Sequence, residues 1–259
     1  MPGRRVLRPR RRVSVVGVIG ELLITGGVVV LLFIGWQLWF YDGIVGGQLK
    51  EQAAQQAQEW NERAAANPTT TPGDPNEPST EEPPVQAVPA AAEQFGMLIV
   101  PRWGADYYRP IAEGVGVSAV LNKGLLGHYP TTQMPGELGN FAIAAHRTTK
   151  GGSLHHIHEL QLGDNIYVET AAGWYRYSFR NLEYVRPTGV GVLDPVPQDP
   201  TAIPGERYIT LTSCNPIISS IERIIAYGVY DGFFPRDTSK PANGAPEEIA
   251  ATVMGTVDS

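Results

Sequence analysis

One cysteine, Cys214, stands in a chain of 259 residues, and that scarcity excludes an intramolecular disulfide. Basic residues are scarce too once the N-terminus is set aside. Residues 1–12 hold six arginines (Arg4, Arg5, Arg8, Arg10, Arg11, Arg12) and no acid, which leaves 14 basic against 26 acidic residues, a formal charge of −12, for the rest of the chain. Charge of that sign excludes a nucleic-acid partner, because such binding needs a basic face that displaces counterions. No Ala-x-Ala pattern follows the apolar stretch near the N-terminus, which argues against a cleaved signal peptide. No internal repeat and no persistent heptad seam is present, which leaves little support for a coiled coil.

What is there begins with one long apolar run, from about Val13 to Tyr41 and densest over Leu22–Phe40. It is long enough to cross a hydrocarbon core of about 30 Å as a helix. The arginines before it predict a cytoplasmic N-terminus, and Trp36, Trp39, Phe40 and Tyr41 fall where aromatic rings favour the far interface. Glu21 is expected near the inner interface, since a lone carboxylate at mid-depth is costly. The chain therefore divides into a basic cytoplasmic tail (1–12), a transmembrane helix (13–41), a juxtamembrane helix and Pro-rich linker (42–92), a catalytic domain (93–235) and a loose tail (236–259). Gly43–Ala66, rich in Gln, Ala and Glu, reads as a solvated helix. Asn67–Ala92 carries seven prolines (Pro68, Pro72, Pro75, Pro78, Pro83, Pro84, Pro89) and reads as a semi-rigid tether that holds a domain away from the bilayer.

From Phe95 to about Pro235, short apolar runs alternate with turn signals. Strands are expected over Phe95–Pro101, Tyr107–Ile111, Asn140–His146, Asn165–Glu169, Trp174–Tyr184, Tyr208–Cys214 and Ile224–Tyr230, with a short helix near Val117–Lys123. Many short strands at this spacing predict a mainly β fold, a closed barrel or a sandwich. A lone thiol in an exported domain is either inert filler or kept for its reactivity, and Cys214 at a strand end before Asn215-Pro216 favours reactivity. A thiol is mostly protonated at neutral pH and needs a base or a cation nearby. Of the five histidines (His128, His146, His155, His156, His158), only His146 ends a strongly patterned strand. Arg223 opens the strand after Cys214 and is placed to return to the same rim as an oxyanion donor.

Thr210-Leu-Thr-Ser-Cys214, followed by Asn215-Pro216 and Arg223, resembles the Thr-Leu-x-Thr-Cys signature of the sortases, membrane-anchored cysteine transpeptidases of Gram-positive cell surfaces. Gly127-His-Tyr-Pro130, Pro135-Gly136, Gly139-Asn140 and Ala144-Ala-His-Arg147 are similar to the class E branch of that family. The likeness covers about residues 95–235. It implies an eight-stranded β-barrel, one strand more than the pattern alone supplies, and the catalytic set His146, Cys214 and Arg223. It implies cleavage of the Thr–Gly bond of a Leu-Ala-x-Thr-Gly or Leu-Pro-x-Thr-Gly sorting signal, and transfer to an amine of a peptidoglycan precursor (lipid II). It also implies that Tyr129 lines the signal pocket, with Thr212 and Ser213 beside it as signal-contacting residues. Ala145 stands where many relatives have Gly, Ser213 where Thr is usual, and Leu125-Leu126 where a glycine-proline pattern is usual.

The implied chemistry is acyl transfer through a Cys214 thioester, with His146 as acid and base and no cofactor. Two other readings stay open: a surface cysteine peptidase acting by hydrolysis, and a catalytically silent anchored binding module. His155-His-Ile-His158 reads as a loop cluster rather than a zinc site, because no thiolate or carboxylate set accompanies it. Glu159 with Asp164 is thin provision for calcium, so no metal is expected.

Overall fold

The computed structural model describes residues 14–66, 74–217 and 219–257. The basic tail 1–12 and residues 67–73 of the Pro-rich stretch lie outside them, as do the side chains of Trp39, Phe40 and Tyr41. The chain forms two compact units, residues 1–41 and 42–259. Helix α1 (Val15–Ala66) begins in the first. Its stretch Val15–Trp36 is apolar and carries no buried window, and at 1.5 Å per residue it measures about 33 Å, enough to span a bilayer core.

The second unit is built on a closed barrel with strand order β1-β2-β3-β4-β7-β8-β6-β5. The strands are β1 (Gln94–Ile99), β2 (Tyr108–Glu113), β3 (Leu126–His128), β4 (Gly139–Ala144), β5 (Asn165–Thr170), β6 (Gly173–Val185), β7 (Arg207–Asn215) and β8 (Glu222–Pro235). Seven coincide with the expected strands, and β3, three residues long, is the eighth. It is too short to show a period, and it exists because it adds parallel to β2 and antiparallel to β4. The helix expected near Val117–Lys123 reduces to a single 3-10 turn, Leu121–Lys123. Strands β6 and β8 form a long ribbon bent by bulges at Arg176/Tyr177 and Phe179/Asn181. Gly173 starts β6 with φ +145°, and a Cβ there would lie 2.1 Å from the Phe234 carbonyl, so only glycine fits.

Side chains alternate across the wall. Leu98, Ile111, Phe141, Ile143, Val168, Tyr175, Ile209, Leu211, Ile224 and Ala226 fill the interior. Met97, Ile99, Tyr108, Tyr167, Trp174 and Phe234 point outward, yet they are buried too. What covers them corrects three expectations. The juxtamembrane segment of α1 is solvated on one face only: Glu51, Gln55 and Glu59 are exposed, but Ala53, Ala57 and Trp60 pack on this outer face, while Leu49 packs with Ala112, Val120 and Leu125. Their spacing of four, four and three residues is one face of a helix, with small residues permitting close approach.

The C-terminal segment is not a loose tail. It forms helix α2 (Glu247–Val257), whose Ile249 and Val253 close over the same outer face. Nor are residues 74–92 a free tether. Ser79 N–H donates to Phe233 O (2.8 Å), Tyr175 OH donates to Pro84 O (2.5 Å), Glu82 pairs with Arg207, and Ala92 N–H donates to Glu113 O (2.9 Å). Proline suits such a strap because it presents carbonyls to the barrel without needing partners for its own nitrogen.

Beneath the helices, Arg236 donates to Glu169 (2.6 Å) and to Thr170 O (2.9 Å), and its guanidinium also bonds Asn61 of α1. Arg236 and Glu169 are both buried, and the Tyr108 hydroxyl donates to the remaining Glu169 oxygen at 2.6 Å. Saturation of this kind is what makes a buried ion pair tolerable.

Candidate active site

Strand β7 lies between β4, parallel to it, and β8, antiparallel to it. In the β7–β8 ladder Cys214 is the direct partner of Arg223. Directly opposed residues project from the same face with Cβ atoms about 4.5–5.5 Å apart, so register alone roots the cysteine and arginine side chains next to each other. The β4–β7 ladder runs from Gly139↔Arg207 to Ala144↔Thr212. Two residues further along each chain stand His146 and Cys214, and the strands remain joined there: Ala145 N–H donates to Thr212 O (3.2 Å) and Ser213 Oγ donates to Ala145 O (2.8 Å). Parity agrees. Phe141, Ile143, Ala145, Ile209, Leu211, Ile224 and Ala226 face the interior, so His146, Cys214 and Arg223 fall on the outer side of the wall, at one end of it. All three are partly exposed.

His146 Nε2 lies 2.9 Å from Asn122 Oδ1. An amide oxygen only accepts, so Nε2 carries the proton and Nδ1 the lone pair. Burial, and secondarily the positive charge of Lys150, hold the His146 pKa below its ordinary value. Arg223 Nη1 donates to the carbonyls of Ser220 and Glu222, both at 2.9 Å. Cys214 is a free thiol.

Tyr129 follows β3, and its hydroxyl lies 3.1 Å from Thr212 Oγ1. Thr212 in turn donates to Ile143 O (3.2 Å), which leaves its lone pairs to the tyrosine hydroxyl. Tyr129 and Thr212 thus meet two residues before Cys214. Ser213 does not join them: its parity is inward, it is buried, and its hydroxyl is bonded to Ala145 O, so it joins strands rather than lying on the outer face with Cys214.

The histidine cluster lies in the loop after β4. His155 Nδ1 donates to Arg147 O (3.2 Å), and His156 Nδ1 lies 2.7 Å from Glu159. Asp164 is gripped by Arg102, which lowers its pKa.

Further participants are given their place only by the tertiary structure. Asn122 sits on the Leu121–Lys123 turn, and only the tertiary fold brings it to His146. His128 belongs to the Gly-His-Tyr-Pro stretch but is wholly buried. Its Nδ1 is 2.6 Å from Glu113 Oε2, its Nε2 is 3.1 Å from Gln133 O, and its ring stacks on Phe141 at 5.2 Å. Glu113 and His128 are cross-strand partners of β2 and β3, which sets the base of the turn that bears Tyr129.

The sortase-domain family profile matches residues 98–231, just over half of the chain. Sortase SrtE1 of Streptomyces coelicolor is 35% identical over 243 residues, which cover 92% of this chain; the chain spans 63% of that relative's length. Among solved structures, the SrtA sortase from Actinomyces oris is similar with a TM-score of 0.61 at 41% identity, over 66% of this chain and 96% of that one. The crystal structure of Streptomyces coelicolor sortase E1 with a tripeptide in the active site is similar with a TM-score of 0.54 at 38% identity, over 58% of this chain and 95% of that one.

Proposed function

The chain belongs to the sortase family, and from that premise we propose that it is a class E-type cysteine transpeptidase, anchored by Val15–Trp36 with its N-terminus cytoplasmic and its barrel outside the cell membrane. The observation that carries the reading is the register that opposes Cys214 to Arg223, with His146 two residues beyond the last β4–β7 pair.

In the proposed cycle, the Cys214 thiolate attacks the carbonyl carbon of Thr in a Thr–Gly bond. Negative charge collects on the carbonyl oxygen, where the Arg223 guanidinium and backbone N–H groups stabilise it. The C–N bond breaks as His146, in its imidazolium form, gives a proton to the departing glycine amine. A ring whose pKa is lowered gives up that proton readily. An amine from a peptidoglycan precursor then attacks the thioester, neutral His146 takes its proton, and the Cys214 thiolate leaves. Asn122 would hold the imidazole at one tautomer between steps. The signal would lie over Tyr129 and Thr212, where the tyrosine ring narrows the space at the second signal position and favours Ala. That a sortase E1 relative was solved with a tripeptide in its active site supports a peptide lying across this site.

The test is incubation of the full chain in detergent micelles with a Leu-Ala-x-Thr-Gly peptide and an amine acceptor, read by mass spectrometry. Ligated product is expected, together with a thioester on Cys214 that Cys214→Ala abolishes. A thioester that persists in Cys214→Ala refutes the nucleophile assignment, and hydrolysed peptide without ligation establishes the peptidase reading instead.

A further inference from the structure

Arg147, the residue after His146, is 5% exposed. A guanidinium so deep is expected to face a carboxylate, yet no ion pair among the described residues includes Arg147. Instead Nη1 donates to Cys214 O (3.4 Å) and to Asn215 Oδ1, while its Nε–H is buried without a partner. A buried cation held on neutral acceptors, with one donor unmet, costs stability. Its location therefore needs a reason other than stability.

The reason lies in what the bonds join. Backbone pairing of β4 with β7 stops at Ala144↔Thr212, two residues short of Cys214. Arg147 continues the connection by side chain at the level where the ladder has ended. It takes hold of the Cys214–Asn215 peptide by its carbonyl, and of Asn215 by its amide oxygen. The other half of that amide, Asn215 Nδ2, donates to Glu222 Oε2 at 3.0 Å, and Glu222 immediately precedes Arg223. The root of Arg147 is fixed as well, because His155 Nδ1 donates to its carbonyl and Leu154 N–H donates to the His146 carbonyl at 3.2 Å. One continuous chain of hydrogen bonds thus links the backbones that carry imidazole, thiol and guanidinium.

We infer that Arg147, acting with Asn215 and Glu222, is a positioning residue that sets the mutual placement of His146, Cys214 and Arg223. This rests on the reading of Cys214 as the nucleophile. Lysine does not replace it, because both bonds come from one Nη1 group aimed by the rigid guanidinium plane, whereas an ammonium on a flexible stem is not aimed in that way.

A positioning role separates two measurements that a structural role would move together. Thioacylation by a peptide needs the sulfur aimed at a held carbonyl, and misplacement by about 1 Å costs on the order of 100-fold. Alkylation by iodoacetamide, a small reagent free to approach from any side, has no such demand. Full-length Arg147→Met and Arg147→Lys, in micelles, are therefore expected to lose about 100-fold in single-turnover thioacylation by a Leu-Ala-x-Thr-Gly peptide. Alkylation of Cys214 should stay at the wild-type rate.

Equal loss of both rates would mean that Arg147 governs thiol reactivity rather than placement, and wild-type thioacylation would mean that it does neither; either result overturns the inference. Should Arg147→Met fail to fold, Asn215→Ala decides, because it leaves the bond from Arg147 to Cys214 O and removes the amide through which Arg147 reaches Glu222. A smaller loss with the same separation supports the inference, and none overturns it. A Cys214→Ala control distinguishes the levels: thioacylation surviving there removes the catalytic reading itself, whereas its loss beside an unaffected Arg147→Met removes only the positioning role.

Discussion

Replacing Trp60 with alanine decides whether the juxtamembrane helix is a solvated stalk or part of the folded unit. Trp60 is 4% exposed and packs in the outer cluster with Met97, Ile99, Tyr108, Trp174 and Phe234. The Arg236 guanidinium lies between two indoles, 5.7 Å from the Trp60 ring centroid and 4.6 Å from that of Trp174. Burying about 200 Å² of indole contributes about 5 kcal/mol at 25 cal/mol/Å², and Trp→Ala changes in cores cost about 3–5 kcal/mol. Trp60 borders an open cavity of about 480 Å³ that lets water reach the vacated volume, so the lower end, about 3 kcal/mol, applies. Loss of one stacking face on Arg236 adds about 1 kcal/mol. For a unit of this size about 4 kcal/mol lowers Tm by roughly 8–16 °C. The assay is thermal unfolding of residues 42–259 followed by near-ultraviolet circular dichroism, with Glu51→Ala on the exposed face of the same helix as control. A Trp60→Ala melting point within about 2 °C of wild type, or an equal drop in the control, would refute the docking argument.

Removing one partner of the buried His128–Glu113 pair, as in His128→Leu, should cost about 3–5 kcal/mol by urea denaturation, while His128→Leu with Glu113→Leu should cost less than either change alone; additive losses would contradict this. Gly173→Ala should cost at least about 2 kcal/mol, because its Cβ would collide with the Phe234 carbonyl at a φ unsuited to alanine; an unchanged urea midpoint would show that the β5–β6 turn relaxes freely. The His146 titration followed by NMR should lie below the ordinary histidine value and move upward in Lys150→Met, without reaching it because burial remains the larger cause. Since the folded-state pKa is depressed, the unfolded chain binds more protons in the window below about pH 6.5. Stability contributed by neutral His146 is thus full above that pH and declines as pH falls through the folded pKa; His146→Asn should remove that part of the acid dependence.

The elements legible in the sequence were those whose physics is local. Trp174-Tyr-Arg-Tyr-Ser-Phe179 alternates, and it is a strand with Tyr175 and Tyr177 inside the barrel. The run Val15–Trp36 is apolar apart from Glu21 and Thr25, and it is a helix long enough to span. Strand β3 has no signature in the sequence because three residues display no period, and because its pairing comes from β2 and β4. Gly43–Ala66 reads as solvated all round because its buried face consists largely of Ala53 and Ala57, which register as weakly apolar in a sequence but pack closely against aromatic neighbours. The Pro-rich stretch read as a tether for a related reason: composition reports that a segment cannot fold alone, not that it lacks a surface to lie on.

The candidate site divides along the same line. Residue type and strand-end placement mark His146, Cys214 and Arg223 as candidates in the linear chain, and the family resemblance is what joins them into one set. Only the closed barrel decided that β7 runs parallel to β4 and opposes Cys214 to Arg223, that Ser213 faces inward, and that Asn122 and Arg147 reach the same end. Periodicity and composition depend on neighbours a few residues away, so a chain carries them openly. Register and hydrogen-bond partners depend on segments tens of residues apart whose meeting is settled by burying one shared core, and that is decided only when the barrel closes.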